Sequence, residues 1–150
     1  MAQDSIEDRI AQIKASVGAE TGPFVFEVEK GAIRKFARAV EDPNPLWQDE
    51  AHARWTRYGG IIAPPTFFRL FRPPQFPGES PYPRRLDAGS DWEYFASLHA
   101  GDTITCKVKL ASAVAKEGRI GKMLILVWEI SYTNQLGEFV ATQRSTLITY

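Results

Sequence analysis

The sequence is poor in the residues that build disulfides and metal sites. It contains one cysteine, Cys106, and two histidines, His52 and His99. A single cysteine excludes an internal disulfide and is typical of a reducing compartment, so we expect a cytoplasmic protein. Two histidines and one cysteine also disfavour a zinc site, because such sites are built mainly from these two residue types. We therefore expect no bound metal.

The chain also lacks an excess of charge and any long apolar run. Its 18 basic residues balance 18 acidic residues, and no basic run is present, which disfavours nucleic acid as a partner. The longest apolar runs, such as residues 123–128, are far too short to cross a bilayer. The start MAQDSIEDRI has neither the basic beginning nor the apolar core of a signal peptide. We expect no nucleic-acid and no membrane partner.

Size and apolar content favour one domain over residues 1–150, since 44% of the 150 residues are hydrophobic. An apolar stripe of period 3.6 predicts a helix over residues 4–17, capped by Asp4 or Ser5 and ended by Gly18. Thr21-Gly22-Pro23 is a further stop signal after Gly18, and we expect an N-terminal helical extension over residues 1–22. The helix either packs on the core or is a swapped arm that grips a partner subunit.

The remaining pattern predicts one strand, a cluster of short helices and then four strands. The first strand spans residues 24–29, and a helix over 32–40 places Ile33, Phe36, Ala37 and Val40 on one face. Further helical segments cover 49–58 and 66–71. Residues 75–89 form a proline-rich loop that we expect to be functional or mobile. The last four strands are predicted at residues 90–98, 103–115, 123–132 and 139–150. This order indicates an α+β fold with an antiparallel sheet.

The most informative stretch runs from residue 36 to residue 67 and contains the sequence DPNP. Pro43 and Pro45 end the preceding helix, because proline lacks an N–H group and fixes φ. Gly59-Gly60 then permits a tight reversal before a short apolar segment and Pro64-Pro65. Such an order suits a chain that holds Asp42 at a sharp corner beside an apolar slot. We expect any chemistry to lie at this corner.

Three segments carry a family resemblance: FxVEKGAIRKFARAVEDPNPL, HAGD at residues 99–102 and YTNQLGEFVATQRSTLI. Over residues 24–150 the chain resembles the MaoC-like dehydratases, which include the R-specific enoyl-CoA hydratases. It is most similar to their N-terminal, fatty-acid-synthase-type dehydratase domain and to the subunits of heterodimeric hydroxyacyl-ACP dehydratases. The resemblance implies a hotdog fold, in which an antiparallel sheet wraps around a central helix, here with an extra N-terminal helix.

The resemblance also identifies an incomplete motif. Active members carry D-x-N-P-aliphatic-H, and Asp42, Asn44, Pro45 and Leu46 match it, but Trp47 stands in place of the histidine. An indole N–H is a donor only and cannot act as a base. The family's thioester-binding glycine falls at Pro65, which has no N–H to donate. Losing acid–base help costs ~10²- to 10⁴-fold in rate, and losing an oxyanion donor ~10²- to 10³-fold more.

The family implies how such a chain could still take part in catalysis. In its heterodimeric members only one partner carries the full motif, and the other shapes the acyl tunnel. We therefore expect a subunit of an acyl-thioester hydratase or dehydratase, paired with a MaoC-like hotdog that supplies the aspartate–histidine couple. Its substrate is an enoyl or 3-hydroxyacyl thioester of CoA or a carrier protein. Water addition needs no metal or redox cofactor, so we expect no cofactor.

The resemblance implies a set of site residues, among which Asp42 is the catalytic candidate. Bulky Trp55 and Phe68 are further candidates for a tunnel wall, although each aromatic residue could equally be core. Arg69, Arg72, Arg84 and Arg85 could meet the phosphates of CoA or simply be solvated. The substrate-binding candidates are Asn44, Trp47, Tyr58, Gly60, Pro65, Phe67 and Phe71.

Two other functions remain open from the sequence. The chain could be a non-catalytic acyl-CoA-binding or interaction module. It could also be a self-sufficient homodimeric hydratase or thioesterase that uses Asp42, because hotdogs host both chemistries and fold does not fix function. A hotdog leaves an open edge strand and an apolar flank, so we expect a homodimer or a heterodimer in either case.

Overall fold

The computed structural model describes residues 5–150, which form one five-stranded antiparallel sheet with helices. The α-helices are α1 (Ile6–Ala15), α2 (Lys30–Ala39) and α3 (Glu50–Arg54), and the strands are β1 (Glu20–Glu27), β2 (Arg85–Tyr94), β3 (Thr103–Gly118), β4 (Gly121–Thr133) and β5 (Phe139–Thr149). Two 3₁₀ helices, Pro45–Trp47 and Pro65–Leu70, accompany the α-helices. The sheet order is β1-β3-β4-β5-β2.

Helix α1 begins at a capping box, as the N-terminal pattern predicts. Ser5 Oγ accepts a hydrogen bond from the Asp8 N–H at 3.1 Å, and Asp8 Oδ2 accepts from the Ser5 N–H at 3.2 Å. Two of the helix's free N-terminal donors are satisfied in this way. Ser5 is therefore the cap, while the alternative cap, Asp4, lies outside the described residues.

Strand β1 begins earlier than predicted. Its pairing with β3 starts at Glu20, opposite Lys109, so the N-terminal helical extension over 1–22 is wrong for its last residues. The register shifts between Thr21 and Phe24, where Gly22 and Pro23 form a bulge in the edge strand. Proline is tolerated there because an edge strand does not need every N–H for pairing. From the sequence, the same two residues are predicted to end a helical segment.

The predicted alternation along β3 and β4 is confirmed. Their inward residues form the core together with Ile33 and Ala37 of α2, which are both fully buried. The sheet therefore packs around α2, as the resemblance implies. Val40 was predicted to share this buried face but is exposed, because α2 ends at Ala39. The inward strand residues are Ile104, Cys106, Val108, Leu110, Leu124, Leu126, Trp128, Ile130 and Tyr132.

Two further boundaries were predicted wrongly. The strand predicted over residues 90–98 is β2, so residues 85–89 are strand rather than loop. A register shift between Asp87 and Gly89 breaks the alternation there, which hides the strand from a period-two pattern. The helix predicted over 49–58 ends at Arg54, and Trp55 is 89% exposed rather than part of a tunnel wall.

Candidate functional site

The corner that follows α2 is made by one residue in the left-handed region. Glu41 has φ +56°, which is uncommon for a residue with a side chain. The Asp42 N–H then donates to the Ala37 carbonyl oxygen at 2.9 Å. Together these features turn the chain sharply at the end of the helix. Asp42 is therefore presented at a corner, as the sequence predicts.

Short polar side chains hold this corner together. Asp42 Oδ1 accepts from the Asn44 N–H at 3.1 Å, and Asn44 Oδ1 accepts from the Leu46 N–H at 3.0 Å. Gln48 Nε2 donates to the Asp42 carbonyl oxygen at 2.8 Å. These are local bonds of the kind that make aspartate and asparagine turn residues. Within residues 5–150, Asp42 Oδ2 accepts no side-chain or backbone bond, so half of the carboxylate remains free for a water or ligand.

Trp47 fills the position at which the motif requires a histidine. It ends the first 3₁₀ helix and is only 8% exposed, and its buried Nε1 has no hydrogen-bond partner among residues 5–150. His52 is exposed on α3, and His99 lies in the turn before β3, with Nδ1 4.0 Å from Asp102 Oδ2. In the described chain neither imidazole bonds to Asp42. The corner thus offers a carboxylate but no imidazole beside it.

Three other candidate residues surround the corner in sequence but make unrelated contacts. Pro65 starts the second 3₁₀ helix, and its carbonyl oxygen accepts from Tyr94 Oη at 3.3 Å. Arg57 Nη2 donates to Tyr58 Oη at 2.7 Å, and its guanidinium carbon lies 4.9 Å from that ring's centroid. A Cβ on Gly60 would meet no atom within 4 Å. Their roles in substrate binding stay predictions.

A cleft of about 770 Å³ lies between the inner face of the sheet and residues 68–80. Among the candidate substrate-binding residues, only Phe71 lines this cleft, and Asp42 and Trp47 do not. Phe67 instead packs in the core, with ring centroids 5.6 Å from Phe36 and 5.8 Å from Phe71. Just over half of the lining residues are apolar or aromatic: Phe68, Leu70, Phe71, Pro73, Pro74, Phe76, Trp92, Leu126, Trp128, Ile130, Tyr132 and Leu147.

A chain of polar side chains crosses the floor of the cleft. Tyr132 Oη donates to Gln143 Oε1 at 3.1 Å, and Gln143 Nε2 donates to Ser90 Oγ at 3.0 Å. Burial raises the pKa of Tyr132, so the phenol stays protonated and acts as a donor. Gln143 was not predicted from the sequence, although a glutamine at an inward position of β5 is an identifiable signal, because buried polar groups need partners.

Residues 15–143 match the family model described as "FAS1-like, dehydratase domain region". The chain belongs to this dehydratase family. A UPF0336 protein of Thermobifida fusca is 34% identical over 134 residues, which cover 84% of this chain and 85% of the relative. The similar solved structures include MaoC-like dehydratases and R-hydratases, which confirms both the predicted resemblance and the hotdog fold.

Two solved structures from Mycobacterium tuberculosis are similar to this hotdog along most of their length. The first is the ChsH1-ChsH2 complex, with a TM-score of 0.77, 22% identity, and coverage of 97% of this chain and 95% of that one. The second is the HadBC (3R-hydroxyacyl-ACP dehydratase) complex, with a TM-score of 0.69, 25% identity, and coverage of 89% and 96%. At these identities the likeness supports the fold.

Residues 76–80 of the loop over the cleft contact the sheet through hydrogen bonds and ring packing. Trp128 Nε1 donates to the Pro77 carbonyl oxygen at 2.8 Å, and the Trp128 and Phe76 rings lie 5.2 Å apart. Ser80 Oγ lies 2.7 Å from Thr149 Oγ1. The proline-rich segment, predicted to be functional or mobile, is therefore held against the sheet and forms one wall of the cleft.

The polar residues around the cleft carry a small positive excess. Arg69, Arg72 and Arg85 line it together with Asp87 and Glu79. Arg69 Nη2 lies 3.8 Å from Asp87 Oδ2, which leaves two guanidinium groups against one remaining carboxylate. Guanidinium groups bind phosphate well, so this lining can attract an anionic group. Arg84, also nominated from the sequence, lies with its guanidinium carbon 5.9 Å from the Tyr150 ring centroid and does not line the cleft.

Neither a metal cluster nor a membrane segment is found in the part of the chain that is described. Residues 5–150 contain no group of three His, Cys, Asp or Glu side chains that could hold a metal ion. Within the same range, no helix combines the length and the apolar character needed to cross a membrane.

Proposed function

We propose that this hotdog is the non-catalytic subunit of an acyl-thioester hydratase or dehydratase. Its cleft binds the acyl part of an enoyl or 3-hydroxyacyl thioester, and a second MaoC-like hotdog supplies the aspartate–histidine couple. The observation that carries the proposal is Trp47, a buried donor-only side chain at the histidine position of an otherwise retained corner.

The corner around Asp42 lacks groups that the hydration of an enoyl thioester requires. Adding water to an enoyl thioester requires one group that takes a proton and another that gives one. Asp42 can take a proton, but Trp47 cannot exchange one, and Pro65 has no N–H for the thioester oxygen. The missing acid–base partner costs ~10²- to 10⁴-fold and the missing oxyanion donor ~10²- to 10³-fold in rate. Alone, the subunit is therefore a poor catalyst.

The cleft, in contrast, has the properties of a binding site. Its volume of about 770 Å³ lies within the usual ~300–1,000 Å³ of small-molecule sites, and just over half of its lining residues are apolar or aromatic. The arginines Arg72 and Arg85 suit the phosphate of CoA or of a carrier's prosthetic group. Two of the similar structures are named as complexes of two different subunits, which supports pairing with a second hotdog.

The test uses two neighbouring residues of β5 that face opposite sides of the sheet. Leu147 lines the cleft, whereas Ile148 points to the outer face and does not. We expect decanoyl-CoA to bind the wild type and Ile148→Trp equally, and Leu147→Trp at least about tenfold more weakly, because an indole fills the cleft. Titration calorimetry measures the three affinities.

Turnover by the protein alone separates the alternatives. We expect the wild type to hydrate crotonyl-CoA no faster than the buffer, while it still binds acyl-CoA. Turnover that Asp42→Ala abolishes would establish the self-sufficient hydratase instead. Binding that Leu147→Trp leaves unchanged would place the acyl chain outside this cleft, and no binding at all would favour an interaction module.

A further inference from the structure

We infer that the open edge of β2 docks a different subunit with basic side chains on its own edge strand, and that Asp91 and Glu93 disfavour pairing with a second copy of this chain. The inference rests on the proposed function only for the existence of a second hotdog subunit. It identifies that subunit by its charge and names the residues that select it.

A row of alternating charges crosses the outer face of the sheet. The strand registers place five exposed residues side by side, one from each strand, and the signs alternate from acidic to basic across the whole sheet. Within the row, Arg144 Nη1 lies 2.6 Å from Glu129 Oε1. In sheet order the row consists of Glu20, Lys109, Glu129, Arg144 and Asp91.

A neighbouring row ends in the same way. Lys107 on β3, Ser131, Thr142 and Glu93 lie side by side, so this row also finishes with a carboxylate on β2. Neither Asp91 nor Glu93 forms an ion pair with any other residue of the described range. Opposite charges directly across a strand pair stabilise a sheet. A sixth strand that continues the alternation would therefore carry Lys or Arg opposite these two positions.

Only one of the two sheet edges is suited to accept that strand. The β1 edge is interrupted by the Gly22-Pro23 bulge, and proline and bulges are the usual means by which edges avoid pairing. From Gly89 to Tyr94, β2 pairs with β5 without interruption and contains no proline. Tyr94 and Phe95 are both exposed at the end of this segment. The β2 edge thus offers free backbone groups beside apolar surface.

A second copy fits this edge badly. A two-fold antiparallel pairing of β2 with itself, centred on residue 91, 92 or 93, opposes Asp91 to Asp91, Asp91 to Glu93 or Glu93 to Glu93. Directly opposed like charges destabilise a strand pair. No basic residue lies on the outer side of β2 between residues 89 and 93 to offset them. The copy is therefore disfavoured by the same two side chains that favour a basic partner.

The experiment uses a charge-reversed copy of this chain as the basic partner. We mix the wild type with the double variant Asp91→Lys/Glu93→Lys and measure assembly by sedimentation equilibrium in about 50 mM salt. We expect a mixed dimer with a Kd about tenfold lower than that of either protein alone. At about 0.5 M salt this difference is expected to shrink, because exposed charges are then screened.

The matched control is Glu20→Lys/Glu27→Lys, which makes the same charge change on the opposite edge. We expect it to form no mixed dimer with the wild type. The inference is overturned if this control pairs as tightly as the β2 variant, if the β2 variant forms no mixed dimer, or if the wild type alone dimerises more tightly than the mixture.

A milder variant covers the case in which the lysine variant does not fold. In Asp91→Asn/Glu93→Gln the repulsion is removed without reversing charge, so self-association is expected to be stronger than in the wild type. Unchanged self-association would also overturn the inference. No acyl thioester enters these measurements, so a failure of acyl-CoA binding would refute the proposed function and leave this result standing.

Discussion

The two buried tryptophans Trp47 and Trp128 form a matched pair for testing the account of the corner. Trp47 is 8% exposed and Trp128 is 7% exposed, so replacing either by phenylalanine removes a similar apolar area from the interior. They differ in hydrogen bonding, since Trp47 Nε1 has no partner within the described part of the chain while Trp128 Nε1 donates to the Pro77 carbonyl oxygen at 2.8 Å. The two substitutions are therefore expected to differ in stability.

The magnitudes follow from burial and hydrogen bonding. Shrinking an indole to a phenyl ring costs about 1–2 kcal/mol of lost burial at either site. At Trp47 the substitution also removes an unpaired buried donor, and this removes a desolvation penalty of about 1–3 kcal/mol. The net change in the free energy of unfolding is therefore close to zero. At Trp128 it leaves the buried Pro77 carbonyl unpaired, so the total cost rises to about 2–5 kcal/mol.

Urea and thermal unfolding followed by circular dichroism measure the two free-energy changes. For a chain of this size a change of 1 kcal/mol shifts Tm by about 2–4 °C, so Trp128→Phe is expected to melt roughly 4–20 °C below Trp47→Phe. Equal losses of stability in the two variants would refute the reasoning, because they would mean that the Trp47 N–H has an acceptor in solution.

Two further predictions concern a buried cysteine and a glycine in the loop over the cleft. Burial raises the pKa of the Cys106 thiol to about 12. The contribution of this thiol to the free energy of unfolding is therefore fully present below about pH 8.5 and is lost as the pH rises towards 12. In urea unfolding between those pH values, the stability of Cys106→Ala is expected to fall less steeply than that of the wild type. Gly78→Ala is expected to lower the free energy of unfolding by about 1 kcal/mol more than Gly137→Ala does. Both glycines have φ near +80°, but only a Cβ at position 78 would lie 2.9 Å from the Leu110 side chain. Equal melting temperatures of the two variants would contradict the packing of this loop.

The parts of the fold that were predictable are those in which one face is buried along an uninterrupted element. Leu124 to Tyr132 alternate strictly, because β4 lies in the middle of the sheet and its inner side is all core. Ile33 and Ala37 follow the helical period for the same reason. Strand boundaries could not be predicted from alternation where a bulge interrupts the strand, because the irregularities at Pro23 and near Ala88 each shift the side chains by one position.

The site divides in a similar way. The place of Asp42 and Trp47 at the corner could be predicted, because the corner is contiguous in sequence and its turn chemistry is local. The cleft could not be predicted, because Trp92, Tyr132 and Gln143 come from three strands that meet only in the folded sheet. The exposure of Trp55 was equally hidden, since it depends on where a five-residue helix ends.

The proline in β1 also limits how large an assembly of this protein can become. A sheet with two open edges can add strands at both ends and grow into a filament, whereas a sheet with one open edge can pair with one further sheet only. The Gly22-Pro23 bulge interrupts the β1 edge, so only β2 is available for growth. Pairing at β2 therefore terminates after a single addition, and this end of any joined sheet stays closed to fibre formation.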